Sequence, residues 1–104
     1  MSTLIYRANS NLLELVGLKN AATGAYLNAA TVTVTLQTEA GTEISGETWP
    51  LTMSYVSGSN GDYRALLSHT LGLVSGPVDA VVDADAGAGL VYHSKTTLQV
   101  QERD

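Results

Sequence analysis

The side chains best suited to acid–base, nucleophilic or ligating chemistry are two histidines, His69 and His93, and ten carboxylic acids; cysteine is absent. A Ser-His-Asp arrangement needs a nucleophile raised on a sharp turn, and no G-x-S-x-G pattern occurs. The two histidines fall in different segments without a ligand-spaced neighbour and read as surface or rim residues. Ser57-Gly-Ser-Asn-Gly61 lacks the lysine of a phosphate-binding loop, and it precedes a strand-like run instead of a helix. Asp79, Asp83 and Asp85, followed by Gly87 and Gly89, resemble a calcium loop only superficially. Counted from Asp83, the twelfth position, where a bidentate acid is required, holds Ser94. Asp79 and Asp83 are instead expected on the solvent face of a strand, with Asp85 opening a turn. Glu39, Glu43 and Glu47 could pair for glycoside chemistry, but they sit in a polar loop with nothing to hold their spacing. The reading is a non-enzyme with neither metal nor cofactor.

The elements behind these residues are strands. The stretch Trp49–Leu67 is the organising unit: Trp49, Leu51, Met53 and Tyr55 alternate with polar or small residues, Ser57 to Asp62 are turn formers, and Tyr63, Ala65 and Leu67 alternate again. Before it, Thr3 to Arg7 is a short β-prone run. Leu12 to Leu18 is too short for a stable helix, has Gly17 near its end, and is read as a strand. Lys19 to Asn28 is a loop expected to tuck Tyr26 and Leu27 onto the core. Thr31 to Thr38 has the clearest alternation, with Val32, Val34 and Leu36 on one face and Thr31, Thr33, Thr35 and Gln37 on the other. Ile44 is the one apolar anchor of the polar segment Glu43–Thr48. Beyond Leu67, Leu71, Leu73 and Val74 form an irregular or 3₁₀ turn. Val78 to Ala84 is a strand, Asp85 to Gly89 a hairpin turn, Leu90 to Val100 the last strand, and Gln101 to Asp104 a frayed polar end. Seven short strands with turn signals at roughly 8–12-residue spacing predict an all-β, immunoglobulin-like antiparallel sandwich in one domain over residues 1–104.

Register makes a further demand. A two-residue type I′ turn at Asn60-Gly61 would set Ser59 against Asp62, and the apolar set of Trp49–Tyr55 would then lie on the opposite face from Tyr63, Ala65 and Leu67. An odd-length loop avoids this. The expectation is a loop of three or five residues, a bulge or a crossing between sheets, with Tyr55 opposite Ala65 or Leu67. Trp49 is expected in the core, where truncation to alanine would cost about 3–5 kcal/mol if the ring is fully buried.

Size and charge narrow the partners. A chain of 104 residues builds one modest core, here without phenylalanine, at a length where a stabilising partner or self-association is unsurprising. The net charge is −5, and the five Lys and Arg are scattered, so neither nucleic acid nor an anionic membrane is an expected partner. The N-terminus shows neither the basic nor the apolar region of a signal peptide, and no apolar run is long enough for a membrane-spanning helix. Absence of cysteine favours an intracellular origin. If the protein docks, the Ser57–Asp62 turn is its contact tip: Ser57, Ser59, Asn60 and Asp62, together with Tyr26, are the candidate contact residues. Tyr6 and Tyr92 are assigned to core or rim, with a contact patch as the alternative.

Taken together, "NLLELVGLKNAATGAYLNAATVTVTL", "TWPLTMSYVSGSNGDYRALL" and "VDADAGAG" resemble a family of small immunoglobulin-like proteins encoded among the structural genes of tailed bacteriophages and prophages. The shared features are a T-G-x-Y-x-N-x-A-T loop-strand, a W-P-L-x-x-x-Y strand, an N-G-x-Y-R turn and a late A-G-A-G turn. The resemblance covers most of the chain and its motifs are structural. It implies a virion component assembled in the host cytoplasm: a capsid decoration or cement protein docked on the major capsid protein, or a part of the head–tail neck. The competing reading is a carbohydrate- or receptor-binding module of a tail fibre, which would require a concave patch of exposed Tyr and Trp.

Overall fold

The structure is a computed structural model and describes residues 4–87 and 89–102. Thr3 of the first predicted strand, Ala88 of the predicted Asp85–Gly89 turn, and Arg103 and Asp104 of the predicted frayed end lie outside the described residues. The described residues are all-β, without helix. There are seven strands: β1 (Leu4–Tyr6), β2 (Asn11–Leu15), β3 (Thr31–Gln37), β4 (Leu51–Tyr55), β5 (Tyr63–Leu67), β6 (Gly76–Asp85) and β7 (Val91–Gln101). They form one mixed sheet in the order β1-β7-β6-β3-β4-β5-β2, curled until it is nearly closed into a barrel. Every pairing is antiparallel except that of β1 with β7.

Alternation sorts the side chains as the sequence demands. Val32, Val34 and Leu36 of β3 are buried beside Val78, Ala80, Val82 and Ala84 of β6, with Leu98 and Val100 of β7. Across the interior they meet Leu13 of β2, Met53 of β4, and Tyr63, Ala65 and Leu67 of β5. Between β3 and β4 the chain sends Ile44 inward as predicted, and Trp49 packs against the core only half-buried, donating its indole N–H to the Ile44 carbonyl at 2.7 Å. The Trp49–Pro50 peptide bond is cis. After β5, Leu71 and Leu73 plug the core from an irregular turn, while Val74 is exposed.

The curl is made within β4. Its first half pairs with β3, Leu51 opposite Val34 and Met53 opposite Val32, and its last residues pair with β5, Ser54 opposite Arg64 and Tyr55 opposite Tyr63. This is the crossing that the register argument allows, and no two-residue Asn60-Gly61 turn forms. The pairing of Tyr55 differs from the expected Ala65 or Leu67. The reason lies in the length of the turn: Val56 N–H closes on the Asp62 carbonyl at 2.9 Å, leaving a five-residue loop from Ser57 to Gly61 and keeping the shared parity with Tyr63. The two rings, with centroids 5.6 Å apart, then pack in a tilted pair.

The loop is tied to the segment after β2. Leu18 N–H donates to the Gly61 carbonyl at 2.9 Å, Gly61 N–H donates to Asn28 Oδ1 at 2.8 Å, and Gly17 N–H donates to Asp62 Oδ1 at 2.9 Å. Gly61 is buried at φ +71°, and a Cβ on it would lie 2.5 Å from the Leu18 carbonyl oxygen, so this close approach requires glycine. Beneath it, the Tyr63 hydroxyl donates to the Leu27 carbonyl at 2.6 Å and accepts from Ala30 N–H at 3.0 Å.

Candidate functional site: a cleft at the open seam

The barrel fails to close between its two terminal strands. β1 lies along only Gln99–Gln101 of the eleven-residue β7, and among the described residues no strand lies against Val91–Leu98 on that side. β2, the other end of the sheet, has likewise no strand on its outer edge among the described residues. Near β1 the seam is latched by a side chain: Asn11 Oδ1 accepts from Tyr6 N–H and Asn11 Nδ2 donates to the Tyr6 carbonyl, both at 2.9 Å. The amide thereby reproduces the donor–acceptor pair of a strand residue. Further along the seam stands a cleft of about 370 Å³, floored by Val82 and Ala84 and walled by Leu15, Val16 and Leu18 on one side and Tyr92 on the other. Lys19, His93 and Ser94 stand at its margin.

The backbone at this edge has a defined polarity. Arg7 N–H donates to the Gln101 carbonyl at 2.8 Å, so Gln101 points its main-chain groups toward the β1 side. The β6–β7 ladder runs unbroken from Gly76 opposite Val100 to Asp85 opposite Val91. By alternation, Val91, His93, Lys95 and Thr97 present their N–H and C=O groups to the same open side, where another strand could pair with them. Their side chains lie on the outer face of the sheet; those of Tyr92 and Ser94 point toward the cleft.

Exposed apolar side chains stand along the seam, Val16 in the cleft wall, Tyr26 on the neighbouring loop and Val91 on the outer face of β7. Val16 is 63% exposed, Val91 66% and Tyr26 43%. Tyr26 is therefore not tucked onto the core as the sequence reading expects. The loop holds it against Gly17 through the Lys19–Tyr26 bridge, and the Lys19 ammonium lies 4.9 Å from its ring centroid. The Tyr92 hydroxyl accepts from Ala21 N–H at 3.1 Å, fastening this loop above the cleft.

The other predicted contact residues divide. Ser57 and Asn60 are exposed at the loop tip. The Ser59 hydroxyl donates to the Val56 carbonyl at 2.6 Å, and its own carbonyl accepts from Tyr55 Oη at 2.5 Å; Asp62 is held by Gly17. The structure thus joins the loop to the segment carrying Tyr26 through Gly61, Leu18 and Asn28, with Ser59 and Asp62 engaged in shaping the turn. Val16, Lys19 and His93 are not contact residues in the sequence reading, and Tyr92 enters it as core or rim with a contact patch as the alternative. Only the mismatch between a three-residue β1 and an eleven-residue β7 exposes their setting, and that mismatch becomes visible once the two are known to pair.

Titratable side chains of β6 and β7 form two pairs. His93 Nδ1 lies 2.6 Å from Asp83 Oδ1, exposed on the outer face where His93 and Asp83 are register partners. Asp79 lies on the outer face of β6 with Asp83, as expected, but is only 5% exposed, which corrects its expected exposure to solvent. Its strand is central, so Gln37 of β3 and Thr97 of β7 flank it on either side. Thr97 Oγ1 donates to Oδ1 at 3.0 Å, and Lys95 Nζ stands 3.3 Å from Oδ2, so the buried carboxylate has both a hydrogen bond and a countercharge. His69 is exposed in the turn after β5. Among the described residues no group of three or more His, Cys, Asp or Glu could hold a metal ion. Among them also, no helix is long and apolar enough to cross a membrane.

What these features define is an all-β module whose one interrupted seam exposes strand edge and apolar cleft together. No family model matches the chain, and neither a curated protein nor a solved structure is significantly similar to it.

Proposed function

We propose that this chain is an immunoglobulin-like structural protein of a tailed-bacteriophage particle, a capsid decoration or cement protein that docks on the head. The strand pairings support the immunoglobulin-like reading. β1, β7, β6, β3 and the first half of β4 form one group, and the end of β4, β5 and β2 form the other, with β3–β6–β7 and β2–β5 as the central pairings of a Greek-key sandwich. The phage assignment rests on the sequence motifs quoted above.

The observation that carries docking as the mode of action is the seam, where an unpaired strand edge, exposed Val16, Val91 and Tyr26 and an apolar cleft lie together. An open edge beside apolar surface is a liability unless another polypeptide covers it. A tail-fibre sugar platform is less favoured. Trp49 is half-buried with its N–H committed to the Ile44 carbonyl, and Tyr26 carries a lysine over its ring.

The test mixes the purified chain with heads lacking decoration protein and, separately, with neck complexes, then measures bound copies after sedimentation. Saturable binding to heads at a fixed ratio to the major capsid protein is expected. Binding to the neck alone would reassign the protein within the virion, and a folded chain that binds neither overturns the proposal.

A further inference from the structure

We infer that the open edge of β7 is a strand-acceptor site, and that its occupant is an extended segment of a partner polypeptide with apolar residues alternating with acidic ones. The inference rests on the docking reading only in that the seam meets a protein; it specifies how and by what chemistry.

The geometry sets the pattern. Val91, His93, Lys95 and Thr97 offer their main-chain groups to the seam, so an incoming strand forms a ladder there by β-augmentation. Residues opposite each other across a ladder share a face. Those opposite Tyr92 and Ser94 therefore point toward the 370 Å³ cleft, over Val82 and Ala84, and are best apolar. Those opposite His93 and Lys95 lie on the outer face beside two basic side chains, and Lys19 adds a third at the margin. Asp79 already pairs with Lys95, and Asp83 lies within hydrogen-bond distance of His93, from the β6 side, whereas Lys19 has no carboxylate within salt-bridge distance among the described residues. The present neighbour, β6, illustrates the fit: Asp83 opposes His93, with Val82 and Ala84 inward on either side.

A second copy of the chain fits less well. Antiparallel pairing of β7 with itself about the middle of the open stretch sets basic residues against basic ones, and registers centred on Tyr92 or Thr96 run past the start of β7 or into Gln99–Gln101, which β1 occupies. The register centred on Ser94 opposes His93 to Lys95, and registers centred on His93 or Lys95 oppose each to itself. An acidic strand removes that conflict, so charge selects a partner segment over a self-dimer.

The test titrates the ¹⁵N-labelled full chain with a capped nonapeptide alternating Val with Asp, and with a control alternating Val with Lys. Saturating amide shifts confined to Val91–Thr97 and Leu15–Lys19 are expected, with the lysine peptide at least about tenfold weaker. Val16→Asp, at an exposed position on the cleft wall, should abolish these shifts with the circular dichroism spectrum and Tm unchanged. His93→Pro, which removes an edge donor, should do the same; if it does not fold, Val16→Asp still decides. Absence of saturable shifts, shifts elsewhere, or equal affinity for both peptides overturns the inference. So does concentration-dependent pairing of the free chain through Val91–Thr97, which would make a second copy the occupant. Peptide binding and head binding can each fail with the other intact, so the two proposals are separable.

Discussion

The two sides of this barrel solve the same problem differently. At β4 the backbone itself turns the corner: three residues pair with β3 and the last two pair with β5, so main-chain hydrogen bonds continue from one half of the molecule to the other. At the seam, β2 and β7 never pair. The gap is bridged by side chains instead, by Asn11 on Tyr6 and by Tyr92 beneath Ala21. A main-chain ladder leaves nothing for another protein to add. A side-chain latch closes its own end of the seam and leaves the rest of the edge unsatisfied, which is why the docking proposed above is assigned to the seam and not to the β4 side.

Substitutions should sharpen this contrast, beginning where the effect is largest. Met53 is buried at the point where β4 changes partner, and Met53→Ala should cost about 2–5 kcal/mol in urea or thermal unfolding. An effect below about 1 kcal/mol would mean the corner is not a rigid part of the core. Gly61→Ala should cost roughly 2–4 kcal/mol, since it combines a left-handed backbone with a clash on the Leu18 carbonyl. A tolerated alanine would show that the turn and the seam-side loop are not packed as described.

Trp49→Ala should cost about 2–3 kcal/mol, less than the ~3–5 of a fully buried indole, because the ring is only half-buried although its N–H is bonded. Asn11→Ala removes the latch and should cost about 1–3 kcal/mol, with hydrogen exchange of the Tyr6 amide accelerated before that of β3 or β6. Uniform acceleration across all strands would contradict a local latch. At the far end of the scale, Val16→Ser and Tyr26→Ser should change stability by no more than about 0.5 kcal/mol. Each should nonetheless weaken binding to decoration-free heads by about tenfold or more. Undiminished head binding in both would move the docking surface away from the seam.

Much of the architecture was legible without coordinates because β alternation is a local signal. Thr31–Thr38 declared its buried and wet faces residue by residue, and Leu12–Leu18 was recognisable as a strand although its pairing stops at Leu15, where Gly17 bends the chain at φ +70°. Parity also ruled out the tight Asn60-Gly61 turn, since it would have stranded one apolar set outside. Pairing was another matter. Tyr55 opposite Tyr63, and Asp79 buried between Gln37 and Thr97, depend on which strands become neighbours.

The contact residues show the same division. Turn-forming Ser57, Ser59, Asn60 and Asp62 drew attention because composition marks loops, yet two of the four side chains are engaged in holding the turn. Tyr26 was recognised as a contact candidate, but its exposure follows from the loop's attachment to Leu18, Gly61 and Asn28. His93 and Val16, far apart in the chain, acquire a common setting only at the cleft.

By itself, then, the sequence determined an all-β chain of seven strands, the inward alternation of runs such as Val32, Val34 and Leu36, and the acidic, cysteine-free composition, because each follows from residue types and neighbours within a few positions. Tertiary structure alone decided where the sheet turns its corner and where it stays open. Those outcomes depend on which strands distant in sequence pair, here the three residues of β1 against the eleven of β7, and no local pattern encodes that choice of partner.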